Sequence, residues 1–209
     1  MSDPYFDTIV QGLGSWTPFF IQHKSLITNI LQTIIDANIS ISPTPHDVFR
    51  IFYHISINEI RVVIVGDEPI IPSLLRPTSS FYIPQIISSF LKSGSNVCRD
   101  KMLSSWISQG VFPMNMAWTI GHGKCKFQSS HMILWEEFSH KLIQYIQHHS
   151  QESIFLLLDK KAWVLTEHIP KYRIIQGDAK DKSFIIQACL DETNNLLSQP
   201  IYWNSILYR

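Results

Sequence analysis

The sequence lacks the features of several large classes of protein. It has only three cysteines, Cys98, Cys125 and Cys189, and their spacing fits neither a disulfide framework nor a common zinc site, so we expect reduced thiols and no metal. No apolar run reaches membrane-spanning length, and the first residues show no basic-then-apolar signal pattern. We therefore expect an intracellular protein, of the nucleus or cytoplasm, with no membrane partner.

The sequence also lacks a net charge. Its 17 lysines and arginines balance 17 aspartates and glutamates, so no global positive field indicates a nucleic-acid-binding surface. A local basic patch would still suffice for DNA, and we expect any affinity for DNA to be weak and strongly salt-dependent. The length of 209 residues suits one domain with an ample core. We divide the chain into an irregular N-terminal arm, residues 1–20, and a single domain, residues 21–209.

One stretch reads as a strand that ends in a functional loop. Arg61–Val65 contains four successive apolar β-branched residues, and Gly66, Asp67, Glu68 and Pro69 follow it. Such a run is typical of a strand buried on both faces. In an open α/β sheet, ligands bind beyond the carboxyl ends of the strands. These residues alone therefore indicate an active-site loop whose chemistry they do not define.

Strands and helices alternate along the rest of the chain. Three more segments read as strands: Val111–Asn115, in which Pro113 predicts an irregularity, Ile154–Leu158 and Tyr172–Ile175. Apolar residues recur at helical spacing in three longer segments, which are Leu26–Ile35, Leu134–Ile146 and Phe184–Leu197. This alternation predicts an α/β fold with a short parallel four-stranded central sheet and helices on both faces.

Several short motifs follow one another in a recognisable order. They are Pro45–Phe49, Val62–Pro69, Gln109–Asn115, Ser130–Phe138 and Ile154–Leu158. Their order and spacing resemble the family 1 uracil-DNA glycosylases, over the chain from about Trp16 to Trp203. The resemblance implies a three-layer α/β/α sandwich, and members of that family hydrolyse the N-glycosidic bond of uracil in DNA. The framework motifs match the family well, whereas the catalytic motifs match it poorly.

The loop after the first strand departs from the resembled family. Aligned on Gly66, Glu68 takes the position of the family's aspartate, and Asp67 takes the position of the preceding glutamine. That aspartate positions water and stabilises the positive charge that develops on the sugar. Glutamate keeps the charge but extends it by one methylene, and a misplacement of about 1 Å can lower a rate on the order of 10²-fold. The resemblance therefore makes Glu68 the candidate catalytic carboxylate.

The resemblance implies a base-binding pocket formed by Asp67, Ile70, Phe81 and Asn115. Asn115 falls where the family's asparagine reads the edge of uracil with both a donor and an acceptor. Phe81 falls where a phenylalanine stacks on the flipped base, and Ile70 replaces the tyrosine that excludes thymine. A structural interpretation also stands, because an asparagine after a strand often bonds its own backbone and phenylalanine packs in any apolar site.

The motifs that contact the leaving base and the DNA phosphates are also altered. Gln176 replaces the family's histidine, which hydrogen-bonds the leaving base, and offers an amide donor in its place. The loop that follows contains Asp178 and Asp181 and has no convincing counterpart of the leucine that wedges into the duplex. Asp159-Lys160 stands where the family has a phosphate-binding glycine-serine turn. Because such contacts position these enzymes on DNA, their joint loss argues against ordinary scanning of DNA.

These departures predict a catalytically degraded uracil-DNA glycosylase homologue that acts as a binding or structural subunit in a DNA replication or repair assembly. The resemblance supplies a precedent, since some viral family members are non-enzymatic components of a DNA polymerase's processivity machinery. One alternative is a divergent active glycosylase that uses Glu68, Gln176, Asn115 and Phe81. Another is a scaffold that does not touch nucleic acid.

We expect a protein partner and no cofactor. Apolar residues along the N-terminal arm and in Pro200–Trp203 offer a contact surface, and Tyr202 and Trp203 are of the residue types that anchor interfaces. The alternative for Trp203 is that it packs on its own domain. We also expect Glu68, Asn115 and Gln176 to lie at one end of the central sheet.

Overall fold

The computed structural model describes residues 4–69, 103–122, 128–178, 180–181 and 183–204. Its strands are β1 (Ser40–Ser42), β2 (Val62–Gly66), β3 (Val111–Asn115), β4 (Ile120–His122), β5 (Gln128–Ser130), β6 (Ile154–Leu157) and β7 (Ile174–Gln176). Its α-helices are α1 (Pro4–Val10), α2 (Thr17–Gln22), α3 (Lys24–Asp36), α4 (Met132–His149) and α5 (Ile186–Leu196), and residues 103–108 are also helical. A 3-10 helix spans Lys160–His168, directly after β6.

The central sheet is parallel and has the strand order β3-β2-β6-β7. Each residue of β2 is buried, as a strand covered on both faces requires. The predicted α/β fold with a four-stranded parallel sheet is confirmed, and strand bounds differ from the prediction by two residues at most. The larger difference is at β7, because Lys171–Arg173 forms a 3-10 turn before the strand begins at Ile174.

Pro113 does not produce the expected irregularity in its strand. The strand β3 is continuous from Val111 to Asn115 and lies at the edge of the sheet. Met116 donates its amide hydrogen to the carbonyl of Gly66 at 2.9 Å, and the strand period of two places the nitrogen of Pro113 on the side away from β2. A proline is tolerated at such an edge because no ladder hydrogen bond needs its missing donor.

A second, antiparallel sheet was not predicted from the sequence. Its strand order is β1-β4-β5, with Ser40 opposite His122 and Ile120 opposite Ser130. The three strands have three residues each, which is too short for a periodic signal in the sequence.

The interpretation of residues 1–20 as an irregular arm is wrong for the part that the structure describes. Residues Pro4–Val10 and Thr17–Gln22 are helices, joined by a short 3-10 turn. The large apolar side chains of this segment are buried in the main core, and they are Phe6, Ile9, Leu13, Trp16, Phe19 and Phe20. Burial against the rest of the chain, not local propensity, orders this segment. The boundary between an arm and a domain at residue 20 stays a prediction.

The C-terminal segment packs on its own chain. Trp203 is 4% exposed, its indole N–H donates to the carbonyl of Leu190 at 3.2 Å, and its ring meets Trp106 edge-on. The alternative given above for Trp203 is therefore correct, and Tyr202 is the exposed member of the pair. Within the described ranges, no helix combines the length and apolar character needed to cross a membrane.

Candidate active site

The parallel register brings the predicted catalytic segments to one edge of the central sheet. Gly66 at the end of β2 lies beside Asn115 at the end of β3, and Leu157 at the end of β6 lies beside Gln176 at the end of β7. The loop with Asp67 and Glu68 follows β2 at this same edge. The predicted placement of Glu68, Asn115 and Gln176 at one end of the sheet is confirmed, while their roles stay predictions.

The loop after β2 is fixed to the segment after β3 by main-chain hydrogen bonds. The amide of Ala117 donates to the carbonyl of Asp67 at 2.9 Å. The amide of Glu68 donates to Oδ1 of Asp67 at 2.8 Å, so one carboxylate oxygen of Asp67 serves the turn itself. Both acidic side chains are half-buried at the edge of the sheet.

A lysine from the loop after β7 bridges two of the carboxylates at this edge. Nζ of Lys180 lies 2.9 Å from Oδ2 of Asp67 and 2.8 Å from Oδ2 of Asp159. The side chain of Asp159 is only 6% exposed, so Lys180 supplies the compensating charge that a buried carboxylate needs. The hydrogen bond to Asp159, followed by the contacts with Asp67, raises the pKa of Lys180 far above its ordinary value, against the effect of burial.

A second ion pair joins the loop after β6 to the loop after β7. Nζ of Lys160 lies 3.0 Å from Oδ2 of Asp178, and the amide of Lys180 donates to Oδ1 of Asp178 at 3.1 Å. Hydrogen bonding within this pair raises the pKa of Lys160 and lowers that of Asp178. The loops after β2, β6 and β7 are thus tied together by the chain's own charges.

Asn115 is buried at the same edge with an unused acceptor. It is 4% exposed, and within the described part of the chain its Oδ1 has no hydrogen-bond partner. Asn115 also lines a small cavity of about 20 Å³ together with Asp47, Arg50 and Trp118. A buried acceptor of this kind can receive a hydrogen bond from a ligand, and the base-binding role of Asn115 stays a prediction.

A hydrogen-bonded chain that sequence reasoning did not assign leads from the buried Trp135 to His131. The indole of Trp135 donates to Oγ1 of Thr119 at 2.7 Å, and Oγ1 of Thr119 lies 2.8 Å from Nδ1 of His131. The hydroxyl accepts from the indole and keeps its own proton, so it can also donate to an unprotonated Nδ1 of His131. Burial lowers the pKa of His131, and the negative charge of Glu68 partly opposes that shift.

His131 and Trp135 belong to a motif that the resemblance uses, so their part in the site had a sequence signal. Gln176 is exposed at the end of β7. Ile70 and Phe81, the other two predicted base-binding residues, lie outside the described residues. Of the predicted pocket, the structure therefore places Asp67 and Asn115 at the same edge of the sheet, with Asp67 held by Lys180.

Replacing Lys180 by methionine should lower the free energy of unfolding by about 1–2 kcal/mol, after allowance for solvent screening of an exposed ammonium. The cause is the unpaired carboxylate of Asp159. Because folding raises the pKa of Lys180, its contribution is complete below the unfolded-state pKa of about 10.4 and is lost as the pH rises through the folded-state value. Urea unfolding of the wild type and the variant at pH 7 measures the loss of stability. The same comparison above pH 10.4 should show a smaller difference between them.

The matched control is Lys171→Met, an exposed lysine in the turn before β7. We expect that variant to remain within about 0.5 kcal/mol of the wild type. A loss for Lys180→Met no larger than that of Lys171→Met would show that the bridge contributes nothing to stability.

Comparison with known proteins identifies relatives by sequence. A uracil-DNA glycosylase of Mycoplasmopsis pulmonis is 32% identical over 140 residues, which cover 62% of this chain and 62% of the relative. A uracil-DNA glycosylase of Aliarcobacter butzleri is 30% identical over 164 residues, which cover 72% of this chain and 71% of the relative. No protein-family model matches the chain.

Solved structures agree on the fold. The crystal structure of mimivirus uracil-DNA glycosylase superposes with a TM-score of 0.67 at 19% identity, over 94% of this chain and 88% of that one. The UNG crystal structure from Nitratifractor salsuginis gives a TM-score of 0.62 at 13% identity, over 94% and 99%. With the sheet order, the ordered motifs and the relatives by sequence, these similarities show that the chain belongs to the uracil-DNA glycosylase family.

Proposed function

We propose that this protein is a uracil-DNA glycosylase homologue that has lost most or all excision activity and acts as a binding or structural subunit in a DNA replication or repair assembly. The observation that carries the proposal is the bridge from Lys180 to Asp67 and Asp159. It places an ammonium at the edge of the sheet where hydrolysis needs uncompensated negative charge to stabilise a cationic sugar.

The bridge also weakens the case for DNA as the main partner. Lys160 and Lys180 both engage carboxylates of the same chain, so neither offers an uncommitted charge to a phosphate. Displacing Lys180 would leave the buried carboxylate of Asp159 without its counter-charge. A surface whose charges compensate one another gives little electrostatic attraction for DNA, which supports weak and salt-dependent binding.

The second candidate is an active, divergent glycosylase. Two observations favour it: Asn115 keeps a buried acceptor of the kind that reads a base, and the negative charge of Glu68 acts on the imidazole of His131. In that case Glu68 and Gln176 would act in catalysis, with Asp67, Ile70, Phe81 and Asn115 around the base. Excision of uracil that disappears in Glu68→Ala would select this candidate.

We place the protein-partner surface at the end of the sheet opposite the candidate active site, and not on the N-terminal arm. Phe6, Trp16, Phe19 and Phe20 of the arm are buried, whereas Tyr172 is 76% and Tyr202 57% exposed. These two tyrosines line two grooves, of about 670 and 660 Å³, which share Arg61. Exposed tyrosines beside an arginine are the residue types that anchor protein interfaces, so we assign the partner surface to these grooves.

Affinity purification of the tagged protein from its native source should recover a protein partner in stoichiometric amount, because the exposed Tyr172 and Tyr202 beside Arg61 can anchor an interface. The double variant Tyr172→Ala/Tyr202→Ala should reduce that recovery at least about 10-fold, the loss of a typical hot spot. Ile133→Ala, which removes an 88% exposed side chain on α4, is the control and should leave it unchanged. Recovery of the protein alone, together with tight duplex binding at physiological salt, would contradict the proposal.

A further inference from the structure

Three metal-binding side chains converge between α4 and the 3-10 helix that follows β6. Nδ1 of His140 lies 2.7 Å from Nε2 of His168, and Oε1 of Glu167 lies 3.1 Å from Nε2 of His168 and 3.7 Å from Nδ1 of His140. The two histidine side chains are 20% and 18% exposed, and Glu167 reaches them from the solvent side with 65% exposure. Histidine pairs with a carboxylate at such distances are a common ligand set for transition metals.

The hydrogen bonds at this cluster leave a single proton among the three possible ligand atoms. Nε2 of Gln144 lies 3.2 Å from Nδ1 of His168, and as an amide donor it requires that Nδ1 be the acceptor. The proton of a neutral His168 then lies on Nε2 and points at Nδ1 of His140, with Oε1 of Glu167 beside it. A metal ion in place of that proton would use the lone pairs of all three atoms.

We propose that His140, Glu167 and His168 form a surface site for a divalent transition-metal ion of the Zn²⁺ type. In a tetrahedral site with bonds of about 2.0–2.1 Å, ligand atoms lie roughly 3.3 Å apart. The distances here bracket that value, so small rotations of two imidazoles and one exposed glutamate suffice. Two nitrogen ligands favour zinc, nickel or copper over the oxygen-seeking ions Mg²⁺ and Ca²⁺. The fourth position faces solvent and takes water.

Gln144 is the positioning residue of this site. Metal on Nε2 of His168 moves the imidazole proton to Nδ1, and a half-turn of the Gln144 amide presents its oxygen to that N–H. Metal-bound histidines nearly always donate their other N–H in this way, and loss of the acceptor typically lowers affinity 10–100-fold. Bound metal would join α4 to the 3-10 helix Lys160–His168, which begins beside Asp159 of the candidate active site.

The test is a titration of the metal-free full-length protein with ZnCl₂ in competition with a chromophoric chelator. We expect one ion per chain, no competition from millimolar Mg²⁺, and an affinity at least about 10-fold weaker in His140→Ala, in His168→Ala and in Gln144→Ala. Glu167→Gln keeps the size of an exposed side chain, so its expected loss of affinity cannot come from unfolding. X-ray absorption should show two imidazole nitrogens bound to the ion.

The control is His148→Ala, which removes an exposed histidine at the end of the same helix and should leave the affinity unchanged. Absence of stoichiometric binding below about 100 μM Zn²⁺ would overturn the proposal. So would an affinity that persists in both His140→Ala and Glu167→Gln, because the ion would then be held elsewhere on the chain.

Discussion

Replacing Trp16 by alanine should lower the free energy of unfolding by about 3–5 kcal/mol. Trp16 is fully buried, and its ring packs against Phe52 and Phe112 with centroids 4.9 and 5.5 Å apart. Its indole donates to the carbonyl of Ile55 at 2.7 Å, so the substitution removes apolar contacts and also leaves a buried acceptor unpaired. Phe112 belongs to β3, and the loss therefore reaches the strand that carries Asn115.

Urea unfolding measures this loss. It is followed by far-UV circular dichroism, because the substitution itself changes tryptophan fluorescence. Ile21→Ala is the control, because Ile21 lies on α2, within the same N-terminal segment, and is 60% exposed. We expect Ile21→Ala to change stability by about 0.5 kcal/mol or less. A loss below about 1 kcal/mol for Trp16→Ala would mean that residues 4–22 are separable from the core, as the sequence alone suggested.

Replacing Gly110 by alanine should lower the free energy of unfolding by a similar amount, about 3–4 kcal/mol. Gly110 has φ of +95°, and an added Cβ would lie 2.4 Å from the carbonyl oxygen of Glu59. The carbonyl of Gly110 accepts hydrogen bonds from the amides of Arg61 and Val62 at 2.8 and 3.1 Å. Relief of the clash would therefore disturb the start of the β2–β3 ladder, on which the alignment of the candidate site depends.

Gly14→Ala is the matched control for that variant. Gly14 also has a positive φ, of +55°, but an added Cβ there meets nothing within 4 Å. We expect Gly14→Ala to lower the free energy of unfolding by only about 1–2 kcal/mol, the cost of holding an alanine in the left-handed backbone region. Chemical denaturation of the two variants separates clash from backbone strain, and equal losses at Gly14 and Gly110 would show that the close approach to Glu59 is unimportant.

The central sheet could be predicted because its signals are local. Runs of apolar β-branched residues such as Val62–Val65 read as buried strands wherever they occur, and the turn residues that follow mark the carboxyl end of the sheet. The N-terminal helices could not be predicted in the same way. They are short and interrupted by Gly12 and Gly14, and contacts with distant residues such as Ile55 order them.

The candidate site could be predicted in its position but not in its contacts. Parallel strands must end at one edge, so the placement of Glu68, Asn115 and Gln176 follows from topology. The bridge from Lys180 to Asp67 joins residues far apart in the chain, and nothing in a loop sequence says which carboxylate a lysine will meet. The same holds for His140 and His168, which lie on different elements and become neighbours only after folding.

The proposed loss of excision activity is tested most directly by a single-turnover measurement on single-stranded DNA that contains one uracil. The protein is in excess, and the abasic sites are cleaved afterwards. The Aliarcobacter butzleri relative is the reference enzyme. Because Glu68 carries an extra methylene and Lys180 compensates the neighbouring carboxylate, we expect a rate at least about 10²-fold below the reference, and no further loss in Glu68→Ala. A rate comparable to the reference that Glu68→Ala abolishes would contradict this account.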